Sequence, residues 1–534
     1  MALRPRATTV PAAISFAPSQ EFQGNDGPWS TFVITVGTPA QVFHVLITTA
    51  GQETWVPVPE GCLSTDPSDC GALRGALPFD NVPSNGFDVN ASSTWEAINL
   101  YELGLDSDLN YTGNGEYGFD TVGMQVPNSG GLNLTHQVVA GIATKDFYLG
   151  IFPLGPKPTN FTNFDNPQPS YLWTLKNQSY IPSLSWGYTA GAKYRLKQVP
   201  GSLTLGGYDS SRFTPNNMTF SFSSDDSKPL TLGLQAITAT NTFQGVASLL
   251  KSGILTFIDS TVPEIWLPTS ACAIFESVFG LEYDANTDRY LVNDTVHANL
   301  TSLNPVVTFK LGNSADDTGA GQSIEISLPY GAFDLQADYP IYNSTTNYFP
   351  LRRAYNESQY TLGRTFLQEA YVIADYERQN FSVSQCVFLD NNPEKIVSIH
   401  SPSTETAKKS GLSTGAKAGI AVGIVVFAII LAGGAFLFFR HRRRNQLKAM
   451  AAALAALPII DKPEMGTEGA LTEERFQESQ MVEAPAAVPG EMPDTPMSAE
   501  RMRHELSAEE STYFELPGSR NWERSPELEG DTNK

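Results

Sequence analysis

The sequence predicts a mainly β protein with two similar antiparallel lobes, followed by one transmembrane helix and a disordered tail. Short runs of alternating apolar residues, such as 32–36, 43–47 and 203–205, are separated by Gly, Pro, Asn and Asp, which is typical of antiparallel strands. One stretch recurs in the second half of the chain, which indicates a duplicated lobe. Residues 418–439 carry no charge and are long enough to cross a bilayer.

The recurring stretch covers residues 45–59, VLITTAGQETWVPVP, and returns as TFIDSTVPEIWLPTS at 256–270. The two copies share Ile, Glu, Trp and Pro at matching positions. A second, shorter repeat is Tyr-Leu-Gly at 148–150 and Thr-Leu-Gly at 361–363. Its two copies are separated by nearly the same number of residues as those of the first repeat. We therefore expect two lobes that face each other, with the recurring turns meeting at their interface, where binding clefts concentrate.

These residues resemble the pepsin-like aspartic proteases, the peptidase A1 family. In that family a hydrophobic strand runs into Asp-Thr/Ser-Gly and exits through a Trp, once per lobe. The resemblance covers roughly residues 29–386 and includes GFDTV at 118–122, GSLTLGGYDSSR at 201–212 and YTLGRTF at 360–366. It implies a bilobal, mainly β pepsin-like fold with short helices.

The resemblance sets the N-terminal lobe at 29–215 and the C-terminal lobe at 216–390. A helix is predicted over 269–279, where apolar residues fall at helical spacing. The preceding segment, 1–28, does not match a signal peptide, because its apolar core is short and broken by Pro11. Two explanations remain open: the gene model lacks its first exon, or the transmembrane segment directs the chain to the membrane.

The chain departs from the family pattern at the catalytic positions. Thr48 stands where the first catalytic Asp is expected, and Ala50 replaces the Gly that follows. Asp259 matches the second catalytic Asp. The family mechanism needs two carboxylates that share one proton, and a Thr hydroxyl does not ionise near neutral pH. The resemblance also implies that the hydroxyls of Thr49 and Ser260 brace the two turns.

The hairpin that closes over the cleft in this family also looks altered. Tyr111 is the candidate for the Tyr near its tip, although its distance to the GFDTV match is shorter than usual. Gly113, Asn114 and Gly115 form a sequence typical of a tight hairpin turn. Asn110 opens a glycosylation sequon, and a glycan there would crowd the cleft.

Two functional hypotheses follow. The first is a catalytically inactive aspartic protease homologue, a surface binding or sensor protein of fungal type whose cleft binds an extended peptide or glycan. The alternative is an active, membrane-tethered aspartic endopeptidase that uses Asp259 with a substitute acid at acidic pH. Glu53 and Glu264 are candidate substitutes by sequence proximity, although the turns should point them elsewhere. A second carboxylate within hydrogen-bonding reach of Asp259 would discriminate between them.

The sequence contains 4 cysteines. The family often carries a small disulfide loop after the first turn, which implies a Cys62–Cys70 bond. Cys272 and Cys386 then remain as a second pair, and an even count in an extracellular domain favours disulfides.

No cofactor and no metal are expected, because the 6 histidines are scattered and none lies at ligand spacing with two cysteines.

The flanking features predict a single-pass type I membrane glycoprotein. A Ser/Thr-rich stalk is predicted at 391–417, the transmembrane helix at 418–439, and a disordered acidic cytoplasmic tail at 440–534, which starts with the basic anchor 440–444. The ectodomain should lie outside the cell or in a secretory or vacuolar lumen, and the tail could bind a cytoplasmic partner.

The net charge of -22 argues against nucleic acid as a binding partner. Glycosylation sequons, all before the transmembrane segment, begin at Asn90, Asn110, Asn133, Asn160, Asn177, Asn217, Asn293, Asn299, Asn343, Asn356 and Asn380.

Overall fold

The structure is a computed structural model that describes residues 10–162, 164–317, 322–402 and 414–454. For 414–426 and 449–454 it describes the backbone alone. The chain divides into two compact units between Ile424 and Val425.

The described strands are β1 (Ile14–Phe16), β2 (Pro18–Gln23), β3 (Trp29–Val36), β4 (Gln41–Thr48), β5 (Thr54–Pro57), β6 (Glu96–Glu102), β7 (Asn114–Met124), β8 (Asn133–Ile142), β9 (Gly150–Pro153), β10 (Ser185–Ala192), β11 (Val199–Leu205), β12 (Gly207–Asp209), β13 (Phe220–Ser221), β14 (Thr231–Thr242), β15 (Gly245–Ser248), β16 (Ile254–Ile258), β17 (Ile265–Pro268), β18 (Glu282–Asp284), β19 (Arg289–Leu291), β20 (Val306–Gly312), β21 (Ser323–Pro329), β22 (Leu335–Ala337), β23 (Thr346–Phe349), β24 (Leu351–Ala354), β25 (Thr361–Leu362), β26 (Ala370–Asp375), β27 (Asn380–Gln385) and β28 (Ile396–Ser398). The described helices are α1 (Cys70–Leu73), α2 (Tyr171–Asn177), α3 (Thr269–Phe279), α4 (Asp294–Leu303), α5 (Arg364–Leu367) and α6 (Thr414–Leu454).

The first unit contains the two predicted lobes, each built on a large sheet. The N-terminal sheet has the strand order β2-β3-β4-β9-β5-β8-β7-β6, and the C-terminal sheet has the order β21-β20-β14-β16-β25-β17-β24. A third sheet, β1-β11-β10-β26-β27-β13, combines strands from both halves of the chain. The mainly β, bilobal architecture predicted from the sequence is therefore confirmed.

The repeated sequence stretches form equivalent strands in the two lobes. In the N-terminal lobe β4 pairs parallel with β9, and β9 pairs antiparallel with β5. In the C-terminal lobe β16 pairs parallel with β25, and β25 pairs antiparallel with β17. Each lobe thus brings the end of one strand, the turn that follows and the Trp of the next strand into the same arrangement.

Burial along β4 explains how the first turn reaches the centre of the molecule. Exposure alternates from Gln41 to His44, as expected for a strand with one solvated face. From Val45 to Thr48 every residue is buried, because this end of the strand enters the interface between the lobes. In the second lobe α3 has the predicted bounds and ends at Gly280, whose positive φ of 66° suits the left-handed position after a helix.

The domain boundaries predicted for the two ends of the first unit are wrong. Strands β1 and β2 lie within the predicted N-terminal segment, yet they pair with β11 and β3. At the other end, β28 lies within the predicted stalk but pairs with β12. Ser401 is buried and donates a hydrogen bond to the Pro182 carbonyl at 3.0 Å. The folded domain therefore extends beyond 29–390 in both directions.

One of the two predicted disulfides is also wrong. Cys62 and Cys70 are bonded, but Cys272 and Cys386 are free and buried. They contact different partners: Cys272 Sγ lies 3.4 Å from the Arg352 carbonyl oxygen, whereas Cys386 Sγ lies 3.3 Å from the Thr189 hydroxyl. The even cysteine count did not reveal that the second pair is separated in space.

Helix α6 crosses from the first unit into the second. It contains the predicted transmembrane segment 418–439, of which the side chains before 427 lie outside the described residues. Among the described residues, no helix carries an apolar stretch of the length that crossing a membrane requires. The helix continues to Leu454, so residues 440–454 are helical rather than part of a disordered tail, and the rest of the predicted tail lies outside the described residues.

Candidate active site

The turns that follow β4 and β16 are joined by reciprocal hydrogen bonds. The Thr49 backbone N–H donates to Ser260 Oγ at 3.0 Å, and the Ser260 N–H donates to Thr49 Oγ1 at 3.0 Å. The Ser260 hydroxyl donates in turn to the Ile47 carbonyl at 2.6 Å. All of these groups are buried, so each bond satisfies a polar atom that water cannot reach.

Thr48 keeps the shape of the first turn without supplying a carboxylate. Its Oγ1 accepts the N–H groups of Ala50 at 3.2 Å and Gly51 at 2.9 Å. The same oxygen lies 2.7 Å from Thr261 Oγ1, across the lobe interface. A hydroxyl oxygen has two acceptor positions and one proton, so we infer that Thr48 donates its proton to Thr261.

Asp259 is fully buried in the second turn. Its Oδ1 accepts the Thr261 N–H at 2.8 Å, and its own N–H donates to the Leu362 carbonyl at 3.1 Å. Its Oδ2 is buried and has no hydrogen-bond partner among the described residues. Neither Glu53 nor Glu264, the sequence-based candidates for a substitute acid, forms a hydrogen bond with it.

Those two glutamates are held by other groups. Glu53 Oε1 accepts a hydrogen bond from the Thr159 hydroxyl at 2.6 Å, and burial raises its pKa. Glu264 is buried between Arg289, at 3.4 Å, and Arg352, at 3.8 Å. Within the described ranges no cluster of His, Cys, Asp or Glu is arranged to hold a metal ion.

The carboxylate that does reach Asp259 belongs to Asp106. It lies in the connection between β6 and β7, residues 103–113, which we call the cleft loop. The Asp106 side chain is within hydrogen-bonding reach of the Asp259 side chain. Asp106 is half-buried as a residue, but its Oδ2 is shielded from solvent. The Oδ2 atoms of the two aspartates are both buried and have no hydrogen-bond partner in the described part of the chain.

The surroundings of Asp106 disfavour its ionised form. Burial raises the pKa of Asp106 well above its usual value of 3.8. The negative charges of Asp259 and Asp108 raise this pKa further, whereas Lys228 lowers it. Two carboxylates in contact cannot both ionise without strong repulsion, so the pair favours a state that shares one proton.

The cleft loop is packed against both lobes, and on the N-terminal side Leu103 is buried in a cluster with Trp55. Leu109 is buried in a cluster with Val262 and Trp266 of the C-terminal lobe. The Asp108 carboxylate pairs with Lys228, and its carbonyl accepts the Gln359 side-chain amide at 2.6 Å. These contacts hold the loop inside the cleft rather than above it.

The loop separates two cavities in the cleft. One cavity of about 930 Å³ is lined by Leu103, Gly104 and Leu105 from the start of the loop. Another of about 440 Å³ is lined by Leu109, Asn110 and Tyr111 from its end. Asp106 lies between these two stretches in the sequence and within reach of Asp259, so we infer that the loop divides the groove there.

Tyr111, the sequence-based flap candidate, lies near the end of the cleft loop. Its ring packs against Phe147, with the centroids 5.4 Å apart. The expected tight turn at 113–115 is absent, since Asn114 pairs with Glu102 and Gly115 pairs with Tyr101 within the hairpin. The hairpin connection is therefore the whole cleft loop, and Tyr101 and Tyr117 are the tyrosines that lie on its two strands.

The sequence did not identify Asp106 as a site residue, because the candidate acids were chosen for their proximity to the two recurring turns. The available signal was the stretch LGLDSDLN at 103–110, which places two acids between leucines next to the predicted flap. Taking Tyr101 instead of Tyr111 as the flap tyrosine would have lengthened the connection and exposed this stretch as an insertion. The sequon asparagines, by contrast, lie at accessible positions: all are exposed except Asn380, which is half-buried.

Comparison with known proteins agrees with this geometry. The family model described as "Eukaryotic aspartyl protease" matches residues 31–386. "Secreted aspartic protease 3" of Candida albicans is 24% identical over 358 residues, which is 66% of this chain and 78% of that protein. "Secreted aspartic protease 8" of the same species is 25% identical over 367 residues, 68% of this chain and 76% of that protein. The chain therefore belongs to the eukaryotic aspartyl protease family.

Proposed function

We propose that the chain is a catalytically inactive member of this family that binds an extended peptide or glycan in its cleft. The observation that carries the proposal is the bond between the hydroxyls of Thr48 and Thr261, 2.7 Å apart at the centre of the interface. It fills the space where a carboxylate opposite Asp259 would act. Without that carboxylate, the turns retain their bracing but lose the acid–base pair that activates water.

The larger cavity supports a binding role. Its volume of about 930 Å³ is at the upper end of the range for ligand pockets. Trp173, Phe222 and Tyr376 supply aromatic surface, while Lys157 and Asp226 supply charged groups at its wall. Apolar surface combined with a few polar groups suits an extended peptide, and aromatic faces also suit a sugar ring.

The contact between Asp106 and Asp259 favours a second candidate, an active endopeptidase in which Asp106 replaces the missing acid. A carboxyl pair that shares a proton has the required chemistry. However, the pair exists only while the cleft loop fills the groove. A substrate strand that runs past Asp259 must displace the loop, and this movement takes Asp106 away from Asp259. Binding without cleavage is therefore the function that the site supports best.

A combinatorial peptide library incubated with the full-length chain tests this proposal. We expect all peptides to be recovered intact between about pH 3 and 6, the range in which paired carboxylates act, and a subset to be retained by the chain at pH 8. An Asp259→Asn chain serves as the matched control and should retain the same peptides uncut. Cleavage products that a statine-type inhibitor suppresses and that Asp259→Asn does not form would establish the endopeptidase instead.

Membrane anchoring is part of the proposal and rests on the sequence. Residues 418–439 are uncharged, the basic cluster 440–444 follows, and the sequons all precede this segment. Glycosidase treatment should lower the apparent mass by several glycans, and protease added outside intact cells should spare the tail. A glycan mapped beyond Arg440, or complete extraction of the chain by alkaline carbonate, would contradict a type I glycoprotein.

A further inference from the structure

We propose that Asp106 makes the cleft loop a proton-dependent gate, which occupies the cleft while one proton is shared with Asp259 and leaves it when that proton is lost. The inference rests on the proposed function, because it concerns how the binding cleft becomes accessible. It assigns a role to Asp106 that neither the two recurring turns nor the bracing hydroxyls require.

The first support is the isolation of the carboxyl pair. The Oδ2 atoms of Asp106 and Asp259 are both shielded from solvent and have no hydrogen-bond partner among the described residues, while the two side chains lie within hydrogen-bonding reach of each other. With one proton between them, the pair forms a charge-assisted hydrogen bond, which is about twice as strong as a neutral one. Without the proton, two negative charges remain in contact where water cannot screen them.

The second support is that, among the described residues, the cation that acts on Asp106 is already engaged by other groups. The charged groups that act on Asp106 are Asp259, Asp108 and Lys228. Lys228 is already engaged by the Asp108 carboxylate and by the Ser358 carbonyl. Arg364 is also engaged, because it donates to the Ser260 carbonyl at 3.0 Å and to the Thr261 carbonyl and pairs with Asp26 at 3.3 Å. Repulsion between Asp106 and Asp259 is therefore left largely uncompensated when both ionise.

The third support is that the loop can move as a unit. Its internal bonds are local: the N–H groups of Leu109 and Tyr111 both donate to the Asp106 carbonyl, at 2.9 Å and 3.2 Å. Glycines stand near both ends, Gly104 with φ of 69° and Gly113 with φ of 147°. A Cβ at Gly104 would meet nothing within 4 Å, so this hinge has open space around it.

The sign of the pH dependence follows from the two loop positions. When the loop lies inside the cleft, burial raises the pKa of Asp106 above its usual value of 3.8. When the loop is exposed to solvent, the pKa returns to that usual value. The proton therefore stabilises the closed loop fully below pH 3.8, and this stabilisation is lost as the pH rises through the higher pKa of the buried group. Each unit between the two pKa values changes the closed-to-open ratio about tenfold.

Hydrogen exchange of the full-length chain, measured without any peptide, tests the gate. After correction for the intrinsic exchange rate, protection of amides within 103–111 should fall about tenfold or more between pH 4.5 and pH 8. In Asp106→Asn the side chain still donates to Asp259 but cannot titrate, and Asn tolerates the left-handed backbone at φ of 56°. This variant should stay protected at both pH values.

Two further variants make the result specific. Asp106→Ala should be unprotected at both pH values, because the shared proton is gone. Asp108→Asn, the matched control, changes the same loop but keeps the pair, so its pH dependence should persist with a lower midpoint. Equal wild-type protection at both pH values, or an unchanged pH dependence in Asp106→Asn, would overturn the gate. Neither outcome bears on whether the cleft cleaves peptides, which the library digest decides separately.

Discussion

Thr48 and Thr261 meet at the centre of the lobe interface with their hydroxyl oxygens 2.7 Å apart. Each stands at a position where the family pattern differs, Asp in the first turn and Gly in the second. The two departures are therefore coupled: the Thr261 hydroxyl occupies the space that a carboxylate at position 48 would need. Restoring the family motif in the first turn alone would therefore leave the new carboxylate in contact with the Thr261 side chain.

The first prediction rebuilds the pair. The triple variant Thr48→Asp, Ala50→Gly, Thr261→Gly should bind a statine-type peptide at least about tenfold more tightly than Thr48→Asp with Ala50→Gly, which corresponds to about 1.4 kcal/mol. The reason is that Thr261 crowds the new carboxylate. Isothermal titration calorimetry at pH 4.5 measures the difference. Adding Asp106→Ala to the triple variant should increase binding further, because the cleft loop no longer competes; weaker binding in that variant would contradict the proposed role of the loop.

The second prediction concerns the brace. Ser260→Ala should lower the free energy of unfolding by about 1–3 kcal/mol, since it leaves the buried Thr49 N–H and Ile47 carbonyl without their partner. Ser129→Ala, whose hydroxyl is exposed, is the control and should change stability by less than about 0.5 kcal/mol. Denaturant unfolding measures both. Equal effects of the two substitutions would show that the brace does not stabilise the lobe interface.

The third prediction concerns the cysteines. Burial raises the pKa of both the Cys272 and Cys386 thiols to about 12, so neither should react with a thiol reagent in the native protein at pH 8. In denaturant without reductant, the chain should release two reactive thiols, and Cys272→Ser should release one. No reactive thiols in denatured wild type would restore the Cys272–Cys386 bond that the sequence suggested.

The sequence predicted the parts of the fold that local patterns encode. The recurring stretches identified two lobes, and apolar spacing gave α3 its bounds, because each signal lies within a few residues. It did not predict β2, whose residues PSQEFQ show no strand alternation and adopt the strand by pairing with β3. Likewise, the three residues of β28 are strand only because β12 lies beside them.

The same distinction applies to the site. Thr48 and Asp259 were found because the duplication sets them opposite each other in sequence. Asp106 was missed because it reaches Asp259 through the packing of a long loop. Such packing does not produce a repeating pattern in the sequence. The Asp106 φ of 56° lies in the left-handed region, which Asp tolerates but which the neighbouring residues do not predict.

The most direct test of the central claim compares peptide cleavage by the full-length wild type and by Asp106→Ala between about pH 3 and 6. If the cleft lacks a working acid–base pair and Asp106 only closes it, neither chain should cleave the library. Cleavage by the wild type that is lost in Asp106→Ala and in Asp259→Asn would contradict this account, because it would make the Asp106–Asp259 pair the catalytic one.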